Sequence, residues 1–409
     1  SIYSRSKKSL VGEIFSILLV SAKGCKYKTF STTYKIISFM MIVGFMYPSP
    51  KIGKIRVFAI LFLLLSVAPV CFFIFVDIYK SLLVRDFITI IRHCTVVGPF
   101  LGTFLKIILA HINQKSAMRL ISEINRDYEL FNTMPAPYQE IIDASIANNL
   151  KYIDKSWAVT VVFCAMTFPV MAAIFNMYSC IFTSERKLYM VHDLPKPYGA
   201  PEERFNSPYF EIMFVYMTYC AVLYVINFTG YDGFFGLCIN HACLKMELYC
   251  QALKEALRRE DMNGIVEVVK EQNRLFEYVH LIQETFNLWL GLILIATMIQ
   301  ICNCMYHITE GYELDLRYII FISGTIVHIY LPCRYSSKLQ YMSVETATLI
   351  YSAGWENVNS ISLRKTVLYM IARAQTPLKI NALNRFIFDM DLFVSILQTS
   401  YSMYTLLRS

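Results

Sequence analysis

The stretch LFVSILQTSYSMYTLL, residues 392–407, carries no charge and is followed only by Arg408 and Ser409. Read as a helix at about 100° per residue, it has two unlike sides. Ser395, Gln398, Thr399, Ser402, Thr405 and Ser409 share one stripe, while Phe393, Ile396, Leu397, Tyr404 and Leu407 face elsewhere. An apolar helix with one hydroxyl-rich stripe has the form of a wall around a narrow aqueous path. Leu406 falls on the same stripe, and a ring of such leucines would close the path by dewetting. The plainer alternative is that small polar residues in membrane helices bond neighbouring helices. On either reading a transmembrane helix is expected here.

Composition points the same way, with 56% hydrophobic and 17% charged residues over 409 positions and a mean hydropathy of +0.46. That is too apolar for the surface of a soluble protein of this size. A bilayer core of about 30 Å takes about 20 helical residues. Runs free of acidic residues, lysine and arginine lie at Val57–Val76, Ser156–Ser184, Ile212–Tyr231, Thr285–Thr309, Tyr318–Cys333 and Leu392–Leu407. A seventh span, Phe87–Leu105, is interrupted by Arg92 and His93. Arg92 lies about two turns in and is expected to snorkel to the headgroups, and no site is assigned to His93. The expected fold is therefore all-α and polytopic, with seven transmembrane helices.

Loop charge orients the bundle. Residues 1–56 hold ten Lys/Arg against one acid, Glu13, and segments 106–155, 245–284 and 334–391 hold six, six and seven. Segments 77–86, 185–211 and 310–317 hold two, four and one. By the positive-inside rule the amino terminus is cytoplasmic and the carboxyl terminus extracellular. The net charge of +8 follows this bias and suits an anionic lipid surface, not nucleic acid. The orientation also excludes G-protein-coupled receptors, whose amino terminus lies outside. Asn125-Arg126-Asp127-Tyr128 looks like a scrambled form of their signature, but it lies in a polar helix after the second span.

Four regions follow. Residues 1–56 form a cytoplasmic amino-terminal region in which Ile14–Val20 and Ile36–Tyr47 are too short to cross and read as interfacial or re-entrant helices. Arg5, Lys7 and Lys8 before apolar residues suit a signal peptide, but no clear cleavage site follows. Residues 57–333 carry spans one to six, 334–391 an anchor and pre-pore helix, and 392–409 the pore helix. Leu120, Ile121, Ile124 and Leu130, and the charged faces across Lys245–Glu284, predict long helices that continue into a cytoplasmic anchor layer. Subunit association is a natural use for such a layer, because one helix lines a pore only when several copies surround an axis.

No catalytic or metal constellation appears. The twelve cysteines lack zinc spacing with His or carboxylates and read mostly as buried small hydrophobes, with a disulfide open only to Cys180 and Cys302 or Cys304. Asn227-Phe228-Thr229 is a sequon in mid-span and should be unmodified. Asp232, just beyond the fourth run, is expected at the cytoplasmic interface. Neither a phosphate-cradling loop nor a hydrolase motif occurs, and inverted repeats of the transporter kind are missing.

From Tyr351 onward the chain resembles the carboxyl-terminal signature of insect odorant receptors. Its residues are Tyr351, Trp355, Arg364-Lys365, Ala372, Gln375-x-Pro377, Ala382, Phe393 and Tyr401-Ser402-x-x-Thr405-Leu406-Leu407. Gly44 to Pro48, Asp193-Leu194-Pro195 and Ser207-Pro208-Tyr209 match more weakly. The terminal pattern of gustatory receptors is absent, and Lys245–Glu284 is too short for the long insertion of the shared co-receptor. The resemblance implies a ligand-tuning subunit of an odorant-gated, non-selective cation channel. It further implies a hetero-tetramer with the odorant co-receptor in the plasma membrane of the sensory dendrite, with no cofactor.

By the family pattern the odorant binds in the outer half of the bundle, among spans two, three, four and six. That region is aromatic and Met-rich: Phe168, Met171, Phe175 and Tyr178 on span three, Phe210, Phe214 and Met217 on span four, Tyr318 and Phe321 on span six. Apolar burial plus a hydroxyl contact from Tyr178 or Tyr318 would hold a small volatile, weakly polar molecule. An ordinary aromatic core and interface belt gives the same pattern. Gln398, Ser402, Thr405 and Leu406 are the expected pore and gate residues. Two alternatives are a gustatory receptor and a seven-helix receptor that signals through a cytosolic partner without its own pore.

Overall fold

The computed structural model describes residues 25–49, 54–183, 187–196, 200–310 and 316–408. The stretch Ile14–Val20, the basic start at Arg5 to Lys8 and the stripe position Ser409 lie outside the described residues. Twelve α-helices carry the described chain: α1 (Phe30–Thr33), α2 (Lys35–Val43), α3 (Lys54–Leu83), α4 (Phe87–Ile112), α5 (Gln114–Phe131), α6 (Ala136–Asn149), α7 (Ala158–Phe182), α8 (Tyr209–Arg258), α9 (Met262–Glu310), α10 (Leu316–Tyr351), α11 (Ile361–Ala374) and α12 (Met390–Arg408). A π-helical stretch, Leu150–Trp157, joins α6 to α7, so that Ala136–Phe182 is one rod of 47 residues. Six rods are long and apolar enough to cross a membrane: α3, α4, the α6–α7 rod, α8, α9 and α10 with its short extension to Asn357. At 19 residues α12 is about 28 Å long, close to a bilayer core. The fold is an all-α polytopic bundle. The end that carries the connections at 84–86 and 187–196 is called the outer end, and the opposite one the basic end.

The helices α8 and α9, of 50 and 49 residues, run about 70 Å or more and outlast any bilayer. Their basic halves meet α5 and α6 in a polar layer, as the charged faces of 245–284 predict. The four residues that resembled a receptor signature serve this layer. Asp127 accepts from His241 at 2.9 Å and from Lys245 at 2.7 Å, and the Asn125 carboxamide accepts from the Phe30 amide at 2.7 Å. Burial pushes the Asp127 carboxyl up, but the His241 hydrogen bond and the Lys245 charge outweigh it and hold the group well below the usual carboxylate range.

The stretch Ile36–Tyr47 contains a helix too short to cross, as expected, and one side of it packs on the bundle. Ile37 and Met41 are fully buried against α8. Glycines let them in: a Cβ at Gly233 would stand 2.6 Å from Ile37 Cδ1, and one at Gly230 would meet the Met41 backbone at 3.1 Å. The Asp154 carboxylate accepts from the Ile37 amide at 3.0 Å and so satisfies one open donor of the first turn of α2.

A small antiparallel hairpin, β1 (Asn381–Ala382) and β2 (Phe386–Ile387), precedes α12 and is pinned to two long helices. Gln283 on α9 donates to the Asn381 carbonyl at 2.8 Å and accepts from its amide at 2.7 Å. Ser337 on α10 accepts from the Met390 amide at 2.9 Å, which fixes where α12 starts. The turn residues Leu383 and Asn384 both have positive φ, 52° and 55°, and Arg385 completes the three-residue loop, its amide donating to the Ala382 carbonyl at 3.0 Å. Leucine is costly there, and the compensating contact is visible. A Cβ at Gly291 on α9 would overlap the Leu383 side chain, so the leucine fills the notch that this glycine leaves. Gly291→Val should therefore destabilise the docked hairpin by about 1–3 kcal/mol. Limited proteolysis across 375–390 reads this as faster cleavage, and adding Leu383→Ala should restore resistance. Unchanged cleavage in Gly291→Val would contradict the contact.

Candidate functional site

Two cavities lie one above the other in the outer half of the bundle. The inner one, about 90 Å³, sits among α4 (Val96, Pro99, Phe100), α7 (Cys164, Ala165, Phe168), α8 (Met217, Cys220, Ala221, Tyr224) and α10 (Phe321), and the connecting segment 187–196 roofs it with Val191 and His192. Its surface is almost wholly apolar. The outer one, a vestibule of about 820 Å³, is lined by charged and aromatic side chains together and shares Phe168, Val191 and His192 with the inner one. Apolar burial in the inner cavity would hold a small, weakly polar ligand, with Tyr224 and His192 as polar points.

The nine expected binding residues divide. Phe168, Met217 and Phe321 line the inner cavity, while Phe168, Met171, Phe175 and Tyr318 line the vestibule. Phe168 is the hinge of the cluster, with ring centroids 5.7 Å from both Tyr318 and Phe321. Tyr178, Phe210 and Phe214 line neither cavity. Tyr178 is 61% exposed beside Phe182, and Phe210 and Phe214 pack on each other against the core. The sequence reading missed Cys164, Ala165, Cys220 and Ala221. It followed large aromatic side chains, whereas space opens where side chains are small; position 165, one turn before Phe168 on the same helix, carried that signal.

Buried polar groups frame the cavities above and below. Above, Arg92 does not snorkel: it donates to Asp193 at 3.1 Å and is only partly exposed. His93, fully buried, bridges Asp77 at 2.6 Å and His192 at 3.0 Å. Below, Asp232 is not at an interface but inside the bundle. One of its oxygens accepts from Lys106 of α4 and from His328 of α10, both at 2.7 Å. The Lys106 ammonium also lies 3.2 Å from the centre of the Phe228 ring, and the Trp157 indole stacks on His328 at 5.9 Å. Along α8 the residues Tyr224, Phe228 and Asp232 repeat every fourth position, and the first two rings stack at 3.9 Å. A continuous line of contacts thus runs from the inner cavity to this triad.

Burial, with His93 and Arg92 adding to it, holds the His192 imidazole well below its ordinary value of 6.5. Folding therefore favours neutral His192. The stability this contributes is complete above about pH 6.5 and is lost as the pH falls below it, because the unfolded segment then binds a proton that the folded one excludes. Acidification from about pH 7.5 to about 5.5 should raise hydrogen exchange of segment 187–196, corrected for intrinsic rates, and His192→Gln should flatten that rise. Equal pH responses in both proteins would contradict the assignment.

The last helix shows its two sides plainly. Ile396, Ser400 and Tyr404 are buried against the bundle, which α12 meets chiefly through α9 and α10. Ser395, Gln398, Thr399, Ser402, Thr405 and Leu406 are exposed on the opposite side, Leu406 at 77%. The hydroxyls of Ser402 and Thr405 bond carbonyls of α12 itself, not another helix of the chain. Cys302 and Cys304 are buried and Cys180 is exposed, with no disulfide among the described residues, and Asn227 of the sequon is fully buried.

Comparison with known proteins places this architecture. The family model described as 7tm Odorant receptor matches residues 86–401. Among curated relatives, odorant receptor 13a of Drosophila melanogaster is 24% identical over 79% of this chain and 81% of its own length. Odorant receptor 10 of Aedes albopictus is 25% identical over 52% of this chain and 60% of its own. Among solved structures, the olfactory receptor OR5 of Machilis hrabei in complex with eugenol has a TM-score of 0.73 at 14% identity, covering 92% of this chain and 98% of that one.

Proposed function

The chain belongs to the insect odorant receptor family, and from that premise we propose that it is the ligand-tuning subunit of an odorant-gated, non-selective cation channel. A volatile, weakly polar molecule occupies the inner cavity among α4, α7, α8 and α10. Several copies of α12, contributed by this chain and a co-receptor in a hetero-tetramer, enclose the pore. The amino terminus faces the cytoplasm, as loop charge dictates, and the assembly sits in the plasma membrane of the sensory dendrite.

The observation that carries this reading is the direction of the polar stripe on α12. In a lone subunit it faces away from the bundle, so its hydroxyl-bearing side chains bond no other helix of their own chain. Left against lipid it would be a poor surface, and a water-filled axis shared with other subunits satisfies it. Gln398, Ser402 and Thr405 then face water and Leu406 supplies the constriction. Gating follows from differential affinity: a ligand that binds better when α8 and α10 have shifted draws the equilibrium toward that state, and the pinned hairpin passes the shift to α12.

The test is a panel of volatiles applied to excised patches, without nucleotides, from cells expressing this chain with the co-receptor. Odorant-evoked cation current is expected. Ala221→Trp, which fills the inner cavity, should raise the half-maximal concentration of bulky agonists about tenfold or more with surface level unchanged. Responses that vanish on excision would point to a metabotropic receptor. Currents from the chain alone, evoked by sugars, would point to the gustatory branch.

A further inference from the structure

The vestibule holds a feature that a neutral volatile does not require. Three guanidinium groups from three separate segments line it: Arg92 from α4, Arg204 from the short 3-10 helix Pro201–Phe205, and Arg317 from the start of α10. Among the described residues the carboxylates that line it are Asp86 and Asp193. Asp86 is committed to capping α4, where it accepts from the Thr89 amide at 3.1 Å. Asp193 is split between two arginines, with Oδ2 3.1 Å from Arg92 and Oδ1 3.1 Å from Arg204. Two guanidinium groups therefore share one carboxylate among the described residues, and the Nη donors of a planar guanidinium fork fit a second one. Beside the cationic wall stands an apolar one, Phe168, Met171 and Phe175, with the Arg317 guanidinium 5.8 Å from the Phe168 ring.

We infer that the vestibule is a second ligand site selective for amphiphilic carboxylates, with the head group on Arg92 and Arg204 and the alkyl chain along Phe168, Met171 and Phe175. The site stands at the mouth of the inner cavity, separated from it by Phe168, Val191 and His192. An acid held there is aligned with its tail toward the inner cavity. The inference rests on reading the outer cavities as ligand sites, but not on the chain carrying current.

The test is equilibrium binding of radiolabelled octanoate to the full-length chain in phosphatidylcholine nanodiscs near neutral pH, with octan-1-ol as the neutral isostere. Octanoate should bind about tenfold or more tightly than octanol, the margin that charge-assisted hydrogen bonds give. The variant Arg92→Gln/Asp193→Asn/Arg204→Gln, which removes both arginines together with the carboxylate they share, should bring octanoate down to the level of octanol and leave octanol binding as it was, which certifies the fold. Should that variant lose both ligands, Arg92→Lys decides: it keeps the charge but lacks the fork, and octanoate alone should weaken several-fold. Four results would overturn the inference. They are no saturable octanoate binding, equal wild-type affinity for acid and alcohol, octanoate affinity that survives the variants, and displacement of octanoate by phosphocholine as efficient as by octanoate itself, which would mark a lipid-headgroup site. Binding is read without current, so a chain that conducts nothing can still pass, and one that conducts but ignores octanoate fails only here.

Discussion

Asp232→Ala is expected to remove the receptor from the cell surface, by more than about tenfold, even though that residue lines neither of the outer cavities. The carboxylate holds both the Lys106 ammonium and His328 at 2.7 Å in the middle of three helices, and the Lys106 and Asp232 side chains are only 4% and 5% exposed. Without it the ammonium keeps the face of Phe228 and loses its counter-charge among the described residues. Breaking a buried ion pair from one side costs about 3–5 kcal/mol, a large part of the stability of an ordinary domain. The sign reverses when both partners go: Lys106→Met together with Asp232→Ala leaves no orphan charge and should recover most of the surface level. Surface biotinylation with total protein as reference measures both. A single Asp232→Ala chain that reaches the surface normally would show that the triad does not hold the bundle.

Leu406→Ala is expected to raise ligand-independent current about tenfold in cells that also express the co-receptor. A tenfold change is what a shift of about 1.4 kcal/mol in the closed–open equilibrium produces. The reason is geometric. Leu406 is 77% exposed on the stripe that carries Gln398, Ser402 and Thr405, opposite the face that packs on α9 and α10. Apolar side chains gathered at a constriction expel water, and removing their methyl groups lets it back. Leu407 is the control, since it is 52% exposed but off the stripe, and Leu407→Ala should leave basal current unchanged. Whole-cell recording before odorant is the measurement. Unchanged basal current in Leu406→Ala together with a normal odorant response would contradict the gate.

What the sequence made legible was whatever depends on period and composition. The spans, the long helices through 245–284 and the two-sided character of residues 392–407 are all properties of a single helix, and each is found. What stayed hidden depends on which helices meet. Arg92 reads as a headgroup contact until Asp193, a hundred residues away in sequence, is brought beside it. Asp232 reads as interfacial until α4 and α10 deliver Lys106 and His328. The inner cavity is defined by small side chains such as Ala165 and Ala221, and a search for aromatic residues passes over them. Leu383 in a left-handed turn has no sequence signal at all, because its reason is Gly291 on another helix.

Cysteine accessibility along α12 tests the pore most directly. With the exposed Cys180 replaced, single cysteines are placed at Ser395, Gln398, Ser402 and Thr405, on the off-stripe positions Phe393 and Leu407, and on the buried Ile396 and Tyr404. In chains assembled with the co-receptor, a charged, water-soluble thiol reagent should modify the four stripe positions and block current, faster in the presence of odorant, and should spare the other four. If the stripe stays unmodified in both resting and stimulated membranes while the off-stripe positions react, α12 does not line the conduction path.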